Sequence, residues 1–126
     1  DDGFAIYDVM RYVTAPVQTI VSGLAASAAT IVMIGAYKGM RLSLPCARIM
    51  LHQPSQGARG TASDIAITAK EILRLRKKAN ELFASETGHP VEKIEKDMQR
   101  DFWMTADEAK EYGLLDKIVP TESDLP

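Results

Sequence analysis

Apolar residues return at helical intervals from the start of the chain, where Phe4, Ile6, Tyr7, Met10 and Val13 predict an amphipathic helix over 4–13 that Pro16 closes. Residues 17–21 (Val-Gln-Thr-Ile-Val) read as a buried strand and Gly23 as a turn. The small-residue run over 25–35 reads as a second helix, buried on most sides. Two short strands are expected over 39–44 and 47–51, separated by Pro45, and the second delivers His52 at its end. Residues 53–60 are rich in breakers and suit a loop or a loosely paired extended arm.

The clearest element follows. Ile65, Ile72, Leu75, Ala79 and Leu82 form one apolar stripe, predicting a helix over about 63–83 that is roughly 30 Å long at 1.5 Å per residue. Its basic residues Arg74, Arg76, Lys77 and Lys78 are flanked by Glu71 and Glu81, which reads as a solvated face. Gly88-His89-Pro90 ends this helix and starts another that runs to about residue 100. Thr105 to Glu108 has capping-box spacing, Gly113 closes a short last helix, and Ile118-Val119 is strand-like. The polar tail over 120–126 is expected to be mobile.

The 126 residues suit one domain, and 46% hydrophobic with 25% charged residues supply an ordinary core and surface. A net charge of -2, spread along the chain, offers no basic field for nucleic acid. No apolar run reaches the length of a membrane span, so neither nucleic acid nor membrane is expected as a partner. The lone Cys46, in an apolar run, is expected to pack inside and fits a reducing compartment. The opening Asp1-Asp2-Gly3-Phe4 has no initiator Met and reads as the start of a fragment.

One hydroxyl, Ser27, falls at a strand-to-helix transition among Ala25, Ala26, Ala28 and Ala29. The pattern A-x-S-x-A resembles the G-x-S-x-G of a nucleophile elbow, whose tight turn demands small neighbours, and Ala28 N–H at the helix start could stabilise an oxyanion. Ser27 could equally be a space-saving residue in a close helix contact. Of two histidines, His89 at a helix junction reads as an inert surface residue, whereas His52 ends a strand beside a Gly-containing loop, where it is either a base or a structural histidine. Asp101, beside Phe102 and Trp103, could orient such a base under aromatic cover, but Asp97, Asp64 and Asp116 are chemically equivalent. Clustered zinc ligands and both nucleotide-binding glycine motifs are missing, so no metal and no cofactor is expected.

Three separated stretches, Gly23-Leu24-Ala25-Ala26-Ser27, Met50-Leu51-His52-Gln53-Pro54 and the segment from Gln99 to Ile118, together resemble the serine, histidine and aspartate motifs of the Clp protease proteolytic subunit family. The likeness runs from Gly3 to Val119. It implies an α/β fold of crotonase-like stacked ββα units with a projecting helical handle, the head being about 1–53 and 88–120, the handle about 54–87 and the tail 121–126. It implies a Ser27-His52-Asp101 triad of a serine endopeptidase, with Ala28 N–H as one oxyanion donor and Pro54, Ser55, Gln56 and Gly57 as a backbone arm for substrate.

The resemblance also implies two stacked seven-membered rings, homomeric or mixed, with Arg100 at the ring contact. Polypeptides would be fed in by a hexameric AAA+ unfoldase that uses the ATP. The compartment implied is the bacterial cytoplasm, the mitochondrial matrix or the plastid stroma. Departures are Leu24 where many members have Gln, Ala28 where many have Met, and Gln56 and Thr61 in place of a Gly and a Gln of the arm. A ring subunit without catalysis, and an acyl-thioester enzyme of the wider crotonase-like superfamily, are the competing readings; retention of all three polar groups argues against both.

Overall fold

The computed structural model describes residues 2–55 and 57–125. Helix α1 (Asp2–Tyr12) leads into β1 (Thr19–Val21), β2 (Leu24–Ala26) and α2 (Ala28–Met33); β3 (Arg41–Ser43), β4 (Arg48–Leu51) and the long α3 (Ala62–Thr87) repeat the ββα order. The chain ends with α4 (Val91–Asp97), β5 (Phe102–Thr105), α5 (Ala106–Glu111), β6 (Lys117–Ile118) and a 3₁₀ turn (Glu122–Asp124). The first strands of the two units pair in parallel with β6 in one sheet, β1-β3-β6, and the second strands join β5 in another, β2-β4-β5. This is the stacked ββα α/β architecture expected from the sequence.

Hydrophobic burial unites the two sheets. Val21, Ala25, Ile49, Leu51 and Met104 from the strands meet Met33 and Ile34 at the end of α2, Phe83 of α3, Ile94 and Met98 of the α4 region and Leu114 and Leu115 behind α5. Helix α3 overruns the predicted bounds mostly at its far end, where Gly88 in the left-handed conformation stops it only after Thr87; at its start the Thr61 hydroxyl accepts from Asp64 N–H and the Asp64 carboxylate accepts from Thr61 N–H at 2.9 Å. Its stripe is graded, with Ile65 exposed, Ile72, Leu75 and Leu82 partly buried and Ala79 buried. The basic face is solvated and paired, Arg74 with Glu71 and Arg76 with Glu95.

Several local expectations are corrected. The alanine run does not form one helix from 25: Leu24, Ala25 and Ala26 pair with Arg48, Ile49 and Met50, so strand pairing overrides alanine's helix propensity until Ser27. Residues 102–105, where the sequence pattern predicts no strand, form the antiparallel partner of β4. Cys46 is exposed in the turn before β4 instead of packed. His89 is half-buried, its ring 4.4 Å from that of Tyr112, because the junction folds back on α5. Apart from these corrections, the tail forms a local turn in which Asp124 accepts from Thr121 N–H at 3.0 Å.

The strongest electrostatic feature is a buried network. Arg41, only 1% exposed, donates to the carbonyls of Ala36 and Ile34 and to Glu86 in the last turn of α3; Glu86 also accepts from Tyr7 Oη and Arg11, each at 2.8 Å. Burial alone would raise the Glu86 pKa, but the bonds from Arg41 and Tyr7 and the two guanidinium charges outweigh it and hold the carboxyl below its ordinary 4.5. A carboxylate with a depressed folded pKa contributes stability that is present above the unfolded value and lost as pH falls through the folded one. Glu86→Gln should therefore lower the unfolding free energy at neutral pH by about 3 kcal/mol, because it leaves Arg41 buried without its countercharge. Urea denaturation should find this difference shrinking as pH falls below 4.5; a difference constant with pH would refute the assignment.

Candidate active site

The register of the β2-β4-β5 sheet brings three separated polar residues to one end. Ala26 pairs with Met50 in parallel, so Ser27 and His52 leave adjacent strands at the same end of the sheet, where the positive-φ elbow at Ser27 lets its hydroxyl meet the histidine. Leu51 pairs with Phe102 in antiparallel, so the next residues outward are His52 and Asp101. His52 Nε2 lies 2.7 Å from Ser27 Oγ, a full hydrogen bond. His52 Nδ1 lies 3.6 Å from Asp101 Oδ1, an ion-pair distance just beyond a direct hydrogen bond.

Ser27 is held in a conformation that side chains resist. Its φ of 56° and ψ of -124° match the first central residue of a type II′ turn, a place that favours glycine, and it is the one non-glycine residue with positive φ among those described. Such strain costs on the order of 1–3 kcal/mol and persists only where neighbours enforce it. Ser27 N–H donates to Met50 O at 3.1 Å, and its carbonyl accepts from Thr30 N–H at 3.0 Å. As the residue before α2 it would normally cap the helix with its hydroxyl, yet no side-chain cap bond forms, since Oγ turns to His52. Ala28, the first residue of α2, has an N–H without an intrahelical acceptor.

The other carboxylates weighed from the sequence are engaged elsewhere. Asp97 accepts from Tyr112 Oη and Lys93, Asp64 caps α3, and Asp116 accepts from the N–H groups of Gly39 and Arg41. The expected aromatic cover over Asp101 is not found: its side chain is 63% exposed against 26% for His52. Alternation along β5 sends Phe102 against Tyr112, while Trp103 stacks under Arg48, so neither ring lies over the carboxylate.

Beside Ser27 opens a cavity of about 240 Å³, lined by Phe4, Ile31, Ile72, Leu75 and Phe83 together with Ala28, Thr30, His52, Pro54 and Ser55. Phe4 and Gly3 of α1 join the site although no site motif in the sequence includes them. A Cβ at Gly3 would sit 3.0 Å from Ala28 O, so this glycine lets α1 lie directly on the start of α2. Pro54 lines the cavity and Ser55 and Gly57 are exposed, outside any strand; Gln56 lies outside the described residues. Arg100 is exposed beside Asp101 along a second depression that also touches His52 and Gln53. Among the described residues no group of three His, Cys, Asp or Glu side chains is placed to hold a metal, and no helix is long and apolar enough to cross a membrane.

A strained serine at a strand-to-helix elbow, bonded to a histidine at the end of the adjacent strand, on stacked ββα units, is accompanied by sequence similarity along the same span. The family model for Clp protease matches residues 1–122, and the chain belongs to that family. Among its relatives is the ATP-dependent Clp protease proteolytic subunit of Porphyromonas gingivalis (strain ATCC BAA-308 / W83), 50% identical over 117 residues, which are 93% of this chain and 53% of that protein. The chain thus spans about half the length of the curated relative it matches.

The strain at Ser27 has a measurable consequence. Ser27→Gly, which relaxes φ, should be more stable than Ser27→Ala, which does not, by about 1 kcal/mol after the entropy of a flexible residue is counted. Equal urea midpoints for the two variants would show that the elbow carries no strain.

Proposed function

We propose that this chain is the peptide-cleaving part of an ATP-dependent Clp protease, a serine endopeptidase acting on unfolded polypeptides. The observation that carries the reading is the 2.7 Å contact between Ser27 Oγ and His52 Nε2 at a strained elbow. Ser27 Oγ attacks the scissile carbonyl while its proton passes to His52 Nε2. The oxygen of the tetrahedral intermediate is stabilised by Ala28 N–H, and His52 then gives the proton to the leaving amine. Water hydrolyses the acyl-enzyme by the same proton path reversed. Asp101 orients the ring through Nδ1 and stabilises the imidazolium.

In this reading Pro54, Ser55, Gln56 and Gly57 pair with substrate as an added strand, which reads few side chains and suits broad specificity. The apolar cavity beside Ser27 takes the side chain preceding the cleaved bond. Residues of about 54–87 act as a handle projecting from a head of about 1–53 and 88–120. Ile65, Ile67 and Leu73 are exposed on that helix, and an apolar face on a projecting element calls for another chain to cover it. That supports assembly into two stacked seven-membered rings, with Arg100 at the ring contact, where docking would draw Asp101 onto His52. A hexameric AAA+ unfoldase supplies the unfolded chain and consumes the ATP, in the bacterial cytoplasm or the matrix or stroma of an organelle.

Two measurements on the full-length, assembled protein test the proposal. A fluorophosphonate probe should label it, Ser27→Ala should abolish labelling, and loss of Ser27 should lower peptide turnover by roughly four to six orders of magnitude. Labelling that survives Ser27→Ala would exclude Ser27, and an assembled particle that never labels would favour a purely architectural subunit. Ala28→Met should narrow the cavity and shift cleavage of short fluorogenic peptides toward smaller side chains; an unchanged profile would end that idea.

A further inference from the structure

We infer that Thr30 is a positioning residue that latches the Ser27–Ala28 peptide with its N–H turned toward the oxyanion; the inference rests on the serine-peptidase reading above. The Thr30 side chain is 1% exposed, and its hydroxyl donates to the Ser27 carbonyl oxygen at 2.5 Å, the short end of the O–H···O range. Thr30 N–H donates to the same oxygen at 3.0 Å. A threonine bonding back to a carbonyl three residues earlier is by itself a common local habit in helices. Here the acceptor gives it a consequence.

The Ser27 carbonyl and the Ala28 N–H belong to one planar trans peptide, so they point in opposite directions and fixing one fixes the other. Ser27, at φ 56° and ψ -124°, has a relaxed alternative close by: keeping φ and turning ψ by roughly 170° reaches the left-handed helical well near φ +57°, ψ +47°. That turn would swing the peptide over, take the carbonyl away from Thr30 and aim Ala28 N–H away from the space beside Ser27 Oγ. A capping bond from the Ser27 hydroxyl does not oppose it, because that hydroxyl is engaged with His52. The buried Thr30 hydroxyl opposes it instead, and a hydrogen bond at the carbonyl also polarises the amide, making Ala28 N–H a stronger donor.

A latch on the oxyanion donor acts in the transition state more than on bound substrate, so its loss appears in kcat and spares KM. In the full-length, assembled protein, Thr30→Val keeps the shape and deletes the hydroxyl, and should lower kcat on a short fluorogenic peptide about tenfold with KM within about twofold. A peptide aldehyde of matching sequence, whose adduct carries the same oxygen, should weaken in parallel, and Thr30→Ser should restore both. Should Thr30→Val fail to assemble, as judged by native mass, Thr30→Ala carries the same comparison. A hydroxyl-free variant that turns over like the parent, a loss confined to KM, or a Thr30→Ser as slow as Thr30→Val would overturn the latch. The underlying reading fails separately, if the parent does not label with fluorophosphonate or if Ser27→Ala still does.

Discussion

The pairing of β4 with a parallel neighbour on one side and an antiparallel neighbour on the other is the constraint on which the site depends. The parallel pair sets Ser27 beside the end of β4, and the antiparallel pair sets Asp101 opposite His52. A slip of one residue in either register would turn a polar group to the opposite face of the sheet. Such slips are opposed by the apolar face, because Ala25, Ile49 and Met104 share the core and cannot exchange places with Leu24, Arg48 and Trp103 without exposing it. The geometry of the candidate site is thus maintained by hydrophobic burial a few residues away.

The molecule separates its two kinds of polar chemistry by burial. Arg41 and Glu86 sit inside, tied to Tyr7, Arg11 and the carbonyls of Ile34 and Ala36, and join α1, the approach to β3 and the last turn of α3. That cluster is costly to break and has no reason to move. Ser27, His52 and Asp101 instead lie where solvent reaches them, with the carboxylate far more exposed than the imidazole. A looser His52-Asp101 contact follows, since water competes for an exposed carboxylate.

Helix α3 links the two regions. Its last turn carries Glu86 into the buried network, and its middle supplies Ile72, Leu75 and Phe83 to the cavity wall. Its first turns carry exposed Ile65 and Ile67 away from the core. One continuous helix therefore connects the rigid cluster, the wall beside Ser27 and an uncovered apolar surface.

Much of this was legible in the residues. Apolar patterning located α1, α3 and the strands around β1, β3 and β4, while breaker and capping signals, Gly88-His89-Pro90 and the Thr105–Glu108 box with Gly113, located α4 and α5. The Ser27, His52 and Asp101 triple came from motif likeness, not from spacing. Composition left Asp97, Asp64 and Asp116 equal to Asp101, and only tertiary structure, by giving each of the others a partner, separated them. The alanines before Ser27 read as helix since isolated alanine prefers it; long-range pairing with β4 decided otherwise.

Gly3 against Ala28, the exposure of Cys46 and Asp101, and the hydroxyl of Thr30 on Ser27 were invisible along the chain for the same reason. The sequence by itself determined which segments could be helices or strands and which side chains could do chemistry, for those follow from local geometry and functional groups. Tertiary structure decided which of them meet and which face water, because contacts and burial depend on residues far apart in the chain.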